Sequence, residues 1–119
     1  MIKKIAFTIY PVKDMARARE FYEKKLNLQA GSISSQGRWV EYDLPGGGCF
    51  AISDLTGVKP GGDTGGSVAF EVDDLDQLVS SLKENGVTFK MDIMKTPVCR
   101  MAVALDSEGN ALVLHQLSN

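Results

Sequence analysis

The feature that most constrains this chain is an internal repeat. Thr8-Ile9-Tyr10-Pro11-Val12-Lys13-Asp14 and Val68-Ala69-Phe70-Glu71-Val72-Asp73-Asp74 set apolar residues against apolar residues at alternate positions. Each copy is a short buried strand that runs into an Asp able to cap a helix. The chain therefore reads as two copies of one unit, module one over about 1–60 and module two over about 65–119.

Each copy continues alike. After the strand Ile5–Val12 and the cap Asp14, residues Met15, Ala18, Phe21, Tyr22 and Leu26 recur at helical spacing, and Asn27 ends the helix in a left-handed conformation. Strands are expected at Leu28–Ser34, Arg38–Leu44 and Cys49–Ser53, with Pro45-Gly46-Gly47-Gly48 forcing the last reversal. In the second copy Ser67–Val72 is the opening strand, and Asp74 with Gln77 forms a capping box. Leu75, Leu78, Val79 and Leu82 form one apolar stripe, and Gly86 stops the helix. Val87–Met94, Cys99–Leu105 and Ala111–Leu117 complete the unit, the last two joined by Asp106-Ser107-Glu108-Gly109-Asn110. The glycine-rich segment Thr56–Gly66 is a linker; a phosphate loop would end in Lys-Ser/Thr and open a helix. The order is β-α-β-β-β twice, an α+β fold. Each one-sided helix covers one face of its own sheet, and the opposite faces enclose a common cavity.

Composition narrows the function classes. With 119 residues, a formal charge of −2 and no cluster of Lys and Arg, the chain lacks the footprint of a nucleic-acid binder. No stretch approaches the ~20 apolar residues of a membrane span. The opening apolar run contains Tyr10-Pro11 and lacks a small-residue cleavage site, so it is not read as a signal peptide. Cys49 and Cys99 have no metal-type spacing, and a cytoplasmic protein is expected.

These pieces together resemble the vicinal oxygen chelate superfamily, which includes glyoxalase I, bleomycin-resistance proteins and extradiol dioxygenases. The resemblance is carried by Val12-Lys13-Asp14, Phe21-Tyr22, Leu26-Asn27-Leu28, Val68 to Asp74, and Asp106-Ser107-Glu108-Gly109-Asn110, where Ser107 replaces the family's proline. It implies paired β-α-β-β-β modules forming a curled mixed sheet around a cleft, with helices outside. It also implies His or Glu/Gln metal ligands on the first and last strands of each module. Carried over, those positions are Phe7, Ala51, Ser67 and Val113. Phe, Ala and Val offer no donor atom, so the chain is expected to lack the family's metal site and to need no cofactor.

Period 2 extends the cleft face from those positions. The register predicted across the turn 106–110 pairs Leu105 with Ala111 and Met101 with His115, and leaves Cys99 and His115 as diagonal neighbours at roughly 7 Å. The expected ligand-binding residues are Phe7, Trp39, Glu41, Ser67, Glu71, Cys99, Met101, Val113 and His115. Trp39 is a stacking platform or core. Cys99 is an inert small hydrophobe or a nucleophile, and His115 and Glu71 are structural or an acid–base pair. The reading is a metal-independent binder of a small neutral or cationic aromatic molecule, acting as a homodimer. The alternatives are a glyoxalase-like lyase or isomerase, or a dioxygenase, acting on a small carbonyl or aromatic compound, with His115, Glu71 and Cys99 as catalytic candidates, and a purely structural or partner-binding subunit. The sequence names neither ligand nor reaction.

Overall fold

The computed structural model describes residues 1, 3, 5–63 and 68–118, so Ser67 and the Gly65-Gly66 entry to module two lie outside the described residues. The chain divides into two compact units, Met1–Pro60 and Gly61–Asn119. Each has the element order β-α-β-β-β and one four-stranded mixed sheet, as an α+β fold requires.

In the first unit, β1 is Thr8–Pro11 and the helix α1 is Met15–Glu20. The strands β2, β3 and β4 are Ala30–Ser34, Trp39–Asp43 and Cys49–Ser53. The sheet order is β1-β4-β3-β2, with β1 parallel to β4 and the other neighbours antiparallel. Asp14 caps α1 by accepting from the Arg17 amide at 3.0 Å. The opening strand is shorter than Ile5–Val12: its ladder with β4 runs over Thr8–Pro11, and the Val12 amide adds one bond to the Ser53 carbonyl at 3.0 Å. The helix does not stay α-helical to Leu26. It widens into a π-helical turn, Phe21–Lys25, in which the Leu26 amide donates to the Phe21 carbonyl at 3.2 Å. Asn27 then takes φ +58°, the left-handed stop expected there.

This helix packs on one sheet face. Tyr22 meets Phe50 with ring centroids 5.0 Å apart and Tyr42 at 6.1 Å. Val40, Tyr42, Phe50, Ile52 and Tyr22 are all buried, each such side chain contributing about 1.5–3 kcal/mol by leaving water. The edge of this layer is polar, partly exposed and hydrogen-bonded. The Tyr42 hydroxyl donates to Glu23 at 2.9 Å, and Arg19 Nε donates to the same carboxylate at 2.7 Å. The Arg19 hydrogen bond holds the Glu23 carboxyl below its ordinary range, while burial first and Glu23 second push the Tyr42 phenol up.

In the second unit, β5 is Val68–Glu71, α2 is Leu75–Glu84, and β6, β7 and β8 are Phe89–Lys95, Cys99–Leu105 and Ala111–Leu117. The sheet order β5-β8-β7-β6 repeats that of the first unit. Asp74 accepts from the Gln77 amide at 3.1 Å, and Gly86 takes φ +78° just past the helix. Leu75, Val79 and Leu82 are buried, as are Ala102, Ala104, Leu112 and Leu114 on the sheet face that α2 covers. Strand β6 starts two residues later than expected and carries register shifts between Phe89 and Met91 and between Met91 and Met94. Arg100 pairs with Asp76 at the start of α2, and Gln116 accepts from the Leu75 amide at 2.9 Å. Both ties come from the helix-covered face and hold the helix N-terminus to the sheet.

The β7–β8 turn is built around Asp106, which is buried. Its carboxylate accepts from the Glu108 and Asn110 amides, both at 2.8 Å, and from Asn110 Nδ2 at 3.0 Å. Asn110 Oδ1 accepts in turn from the Gly61 amide at 3.1 Å, which ties the linker to the turn. Gly109 takes φ +84°, whereas Asn110, expected to be able to do the same, serves through its side chain. Gly109→Val should therefore destabilise the fold by about 1–3 kcal/mol, because a β-branched residue is strained at positive φ. Thermal melting checks this, and an unchanged midpoint would contradict the role given to the turn.

Candidate functional site

The sheet face that carries no helix is the candidate surface in each unit, and register decides which side chains reach it. In the first unit, the pairs Trp39–Ser53, Glu41–Ala51 and Asp43–Cys49 lie on that face, opposite Val40, Tyr42, Phe50 and Ile52. This is the alternation that places Trp39 and Glu41 together. The Trp39 indole donates to Glu41 Oε2 at 2.8 Å, and the Cys49 thiol lies 3.8 Å from Glu41 Oε1. Both carboxylate oxygens are thus engaged inside the module. Phe7, 41% exposed, meets Trp39 edge to face with ring centroids 5.3 Å apart. The indole is fixed by a hydrogen bond at its edge and a ring against it, a preformed aromatic surface. Burial first, then the negative charges of Glu41 and Asp43, push the Cys49 thiol up, so Cys49 is not an activated nucleophile.

In the second unit, β5 brings Glu71 level with His115, and β7 brings Met101 level with the same histidine. The expected pairings of Leu105 with Ala111 and Met101 with His115 are those of the sheet. Glu71 Oε1 and His115 Nδ1 are 2.6 Å apart, and Glu71 Oε2 accepts from the Leu117 amide at 2.8 Å. The imidazole hydrogen bond first, and the Leu117 amide second, hold the Glu71 carboxyl below its ordinary value of 4.5. Val113 stands one row along, between Ala69 and Val103. Cys99 is buried, with its sulfur 3.2 Å from the Thr96 hydroxyl, so its polar contact is with Thr96. The sequence reading missed Met91 and Met94, which β6 pairs with Val103 and Met101. Two register shifts interrupt β6 there, so alternation alone could not assign these side chains to a face.

The positions that the family resemblance assigns to metal ligands do not supply a metal centre. Phe7, Ala51 and Val113 present no donor atom, and Ser67 lies outside the described residues. Among the described residues no three His, Cys, Asp or Glu side chains are grouped so as to hold an ion. Among the described residues the donor set does not fit the family's metal.

The geometry gives a pH prediction. Because the folded-state Glu71 carboxyl titrates below its unfolded value, its contribution to stability is complete above about 4.5 and is lost as the pH falls through the lower folded value. Glu71→Gln should flatten the acid limb of the stability curve below that pH. Denaturant melts across the range check it, and an acid limb identical to that of the parent protein would contradict the bridging role.

Among curated protein sequences none matches this chain. Solved structures do. An antibiotic-binding protein, TnmS3 from Streptomyces sp. CB03234, is 27% identical and superposes with a TM-score of 0.83, with 98% of each chain covered. A member of the glyoxalase/bleomycin resistance protein/dioxygenase superfamily from Sphaerobacter thermophilus is 25% identical, with a TM-score of 0.78 over 97% of this chain and 98% of that one. A lactoylglutathione lyase from Agrobacterium tumefaciens, at 16% identity, shares the fold, with a TM-score of 0.74 over 97% of this chain and 94% of that one. No helix is long and apolar enough to cross a membrane among the described residues. The family model that matches residues 4–114 completes the assignment: the chain belongs to the Glyoxalase/Bleomycin resistance protein/Dioxygenase superfamily.

Proposed function

We propose that this protein is a metal-independent small-molecule-binding member of its superfamily, of the bleomycin-resistance kind, in the cytoplasm. The observation that carries the reading is the replacement of donor side chains by an aromatic surface. Where the family's metal centre would begin, Phe7 stands edge-on to a Trp39 ring that Glu41 holds in place. Such a surface binds by shape and ring contact, not by charge transfer to an ion. The 27% identical TnmS3, an antibiotic-binding protein, supports a binding role for this chain.

The binding residues in this proposal are Phe7, Trp39 and Glu41 of the first module and Ser67, Glu71, Cys99, Met101, Val113 and His115 of the second. Glu41 and Glu71 already have partners on both oxygens. These hydrogen bonds fix both carboxylates in place and leave them negatively charged, so the guest is a neutral or cationic aromatic molecule. The alternative reading, a glyoxalase-like lyase or isomerase or a dioxygenase, is favoured by one observation. The 2.6 Å His115–Glu71 pair has the geometry of an oriented base. Turnover of a small carbonyl or aromatic substrate by the purified protein would select that reading.

Trp39 is the single tryptophan, so its emission reports on the proposed surface without labelling. Neutral bicyclic and tricyclic aromatic compounds should shift or quench that emission saturably, without added metal. Trp39→Ala, followed by calorimetry, should weaken the same compounds about tenfold or more while the melting curve stays cooperative. Saturable binding that is unchanged in Trp39→Ala would contradict the proposed surface.

We also propose a homodimer, because each four-stranded sheet has edge strands that need covering. Light scattering at micromolar concentration should give twice the chain mass, and a monomer would contradict it.

A further inference from the structure

Two cross-strand rows on the helix-free face of the second module are apolar except at one point. A single cross-strand row runs Met94, Met101, His115, Glu71, from β6 through β7 and β8 to β5. The neighbouring row runs Met91, Val103, Val113, Ala69. Thioethers and aliphatic groups therefore flank a lone His–Glu pair, and methionine surfaces adapt to varied apolar guests.

The hydrogen bonds of that pair determine its chemistry. Glu71 Oε2 already accepts from the Leu117 amide, and an ionised carboxylate only accepts. The hydrogen in the 2.6 Å contact with Glu71 Oε1 therefore sits on His115 Nδ1. In the neutral ring this leaves the Nε2 lone pair free, on the ring edge away from Glu71. Nε2 makes no hydrogen bond among the described residues, and it is not among their buried unpartnered atoms. Glu71 thus serves as a positioning residue. It sets the tautomer and orientation of the imidazole.

We propose that His115 Nε2 is a hydroxyl-recognition point, accepting the O–H of a phenolic aromatic guest whose ring lies against the methionine rows. This deepens the small-molecule reading above and rests on it. A weakly acidic hydroxyl on an aromatic ring matches both parts of the surface, one strong acceptor set in polarisable apolar walls. An ether or an unsubstituted ring satisfies the walls and leaves the acceptor without a donor, at the cost of a hydrogen bond.

The chain has one histidine, so its imidazole nitrogen resonances need no assignment. In the neutral ring they should show the Nδ1–H tautomer, the reverse of the form favoured in free histidine. Calorimetry should show 2-naphthol binding about five- to tenfold more tightly than 2-methoxynaphthalene, and naphthol should move the Nε2 resonance. His115→Phe should bring the two affinities together. Glu71→Gln gives a second test that keeps the ring. With its carbonyl still held by the Leu117 amide, the new side-chain amide donates to Nδ1, moves the proton to Nε2 and removes the acceptor. That variant should also lose the preference for naphthol. An Nε2–H tautomer in the parent protein, or equal binding of naphthol and its ether, overturns the hydroxyl site while leaving the aromatic-binding reading in place. Failure of both compounds to bind overturns the hydroxyl site and the aromatic reading together.

Discussion

The packing of each helix on one face of its own sheet is the constraint from which the rest follows. In the first module Tyr22 is buried against Phe50 and Tyr42. In the second, the stripe of Leu75, Val79 and Leu82 is buried over the sheet face of Leu112 and Leu114. Because strand side chains alternate, a slip of one residue would bring Trp39 and Glu41 under the helix and expel Val40 and Tyr42. The apolar layer therefore fixes which residues are left for function. The candidate face is defined by exclusion, by residues the core does not take.

The same logic explains what the sequence made legible. Alternation puts Trp39 and Glu41 on one face of the first sheet, and alternation with one turn puts Met101, Val113 and His115 on one face of the second; the pairings of β3 with β4 and β7 with β8 have that register. Asp14, Asn27, Asp74 and Gly86 marked helix ends because their local chemistry is strong enough to act without tertiary help. Elements whose form depends on partners were less readable. The π-helical turn at Phe21–Lys25 has no composition signal, since its residues suit an ordinary helix. The shifts in β6 exist only relative to β7, so Met94 could not be assigned to the row of His115. Nor could the sequence show that both glutamates are already engaged. Alternation gives a face, whereas the bonds to the Trp39 indole and to the Leu117 amide depend on side-chain geometry.

The two modules share a topology but have diverged in how they present the helix-free face. The first offers rings, with Phe7 against a Trp39 whose polar edge is satisfied by Glu41. The second offers methionines and one imidazole oriented by Glu71. In both cases a carboxylate acts on its neighbour, fixing an indole in one module and a tautomer in the other. Among the described residues neither carboxylate belongs to a group of three donors that could hold an ion. On the proposed reading, a fold used elsewhere for metal chemistry here serves recognition by shape, ring contact and a single directed hydrogen bond.

The central claim, that these faces bind without a metal, is tested most directly by elemental analysis. The protein would be purified without chelators, equilibrated with nickel, zinc, manganese and iron ions, and freed of loosely bound ion by gel filtration. The account predicts that no divalent metal is retained in proportion to the chain. Retention of one ion per chain would contradict it, since it would mean that donors other than those the family uses have assembled a centre.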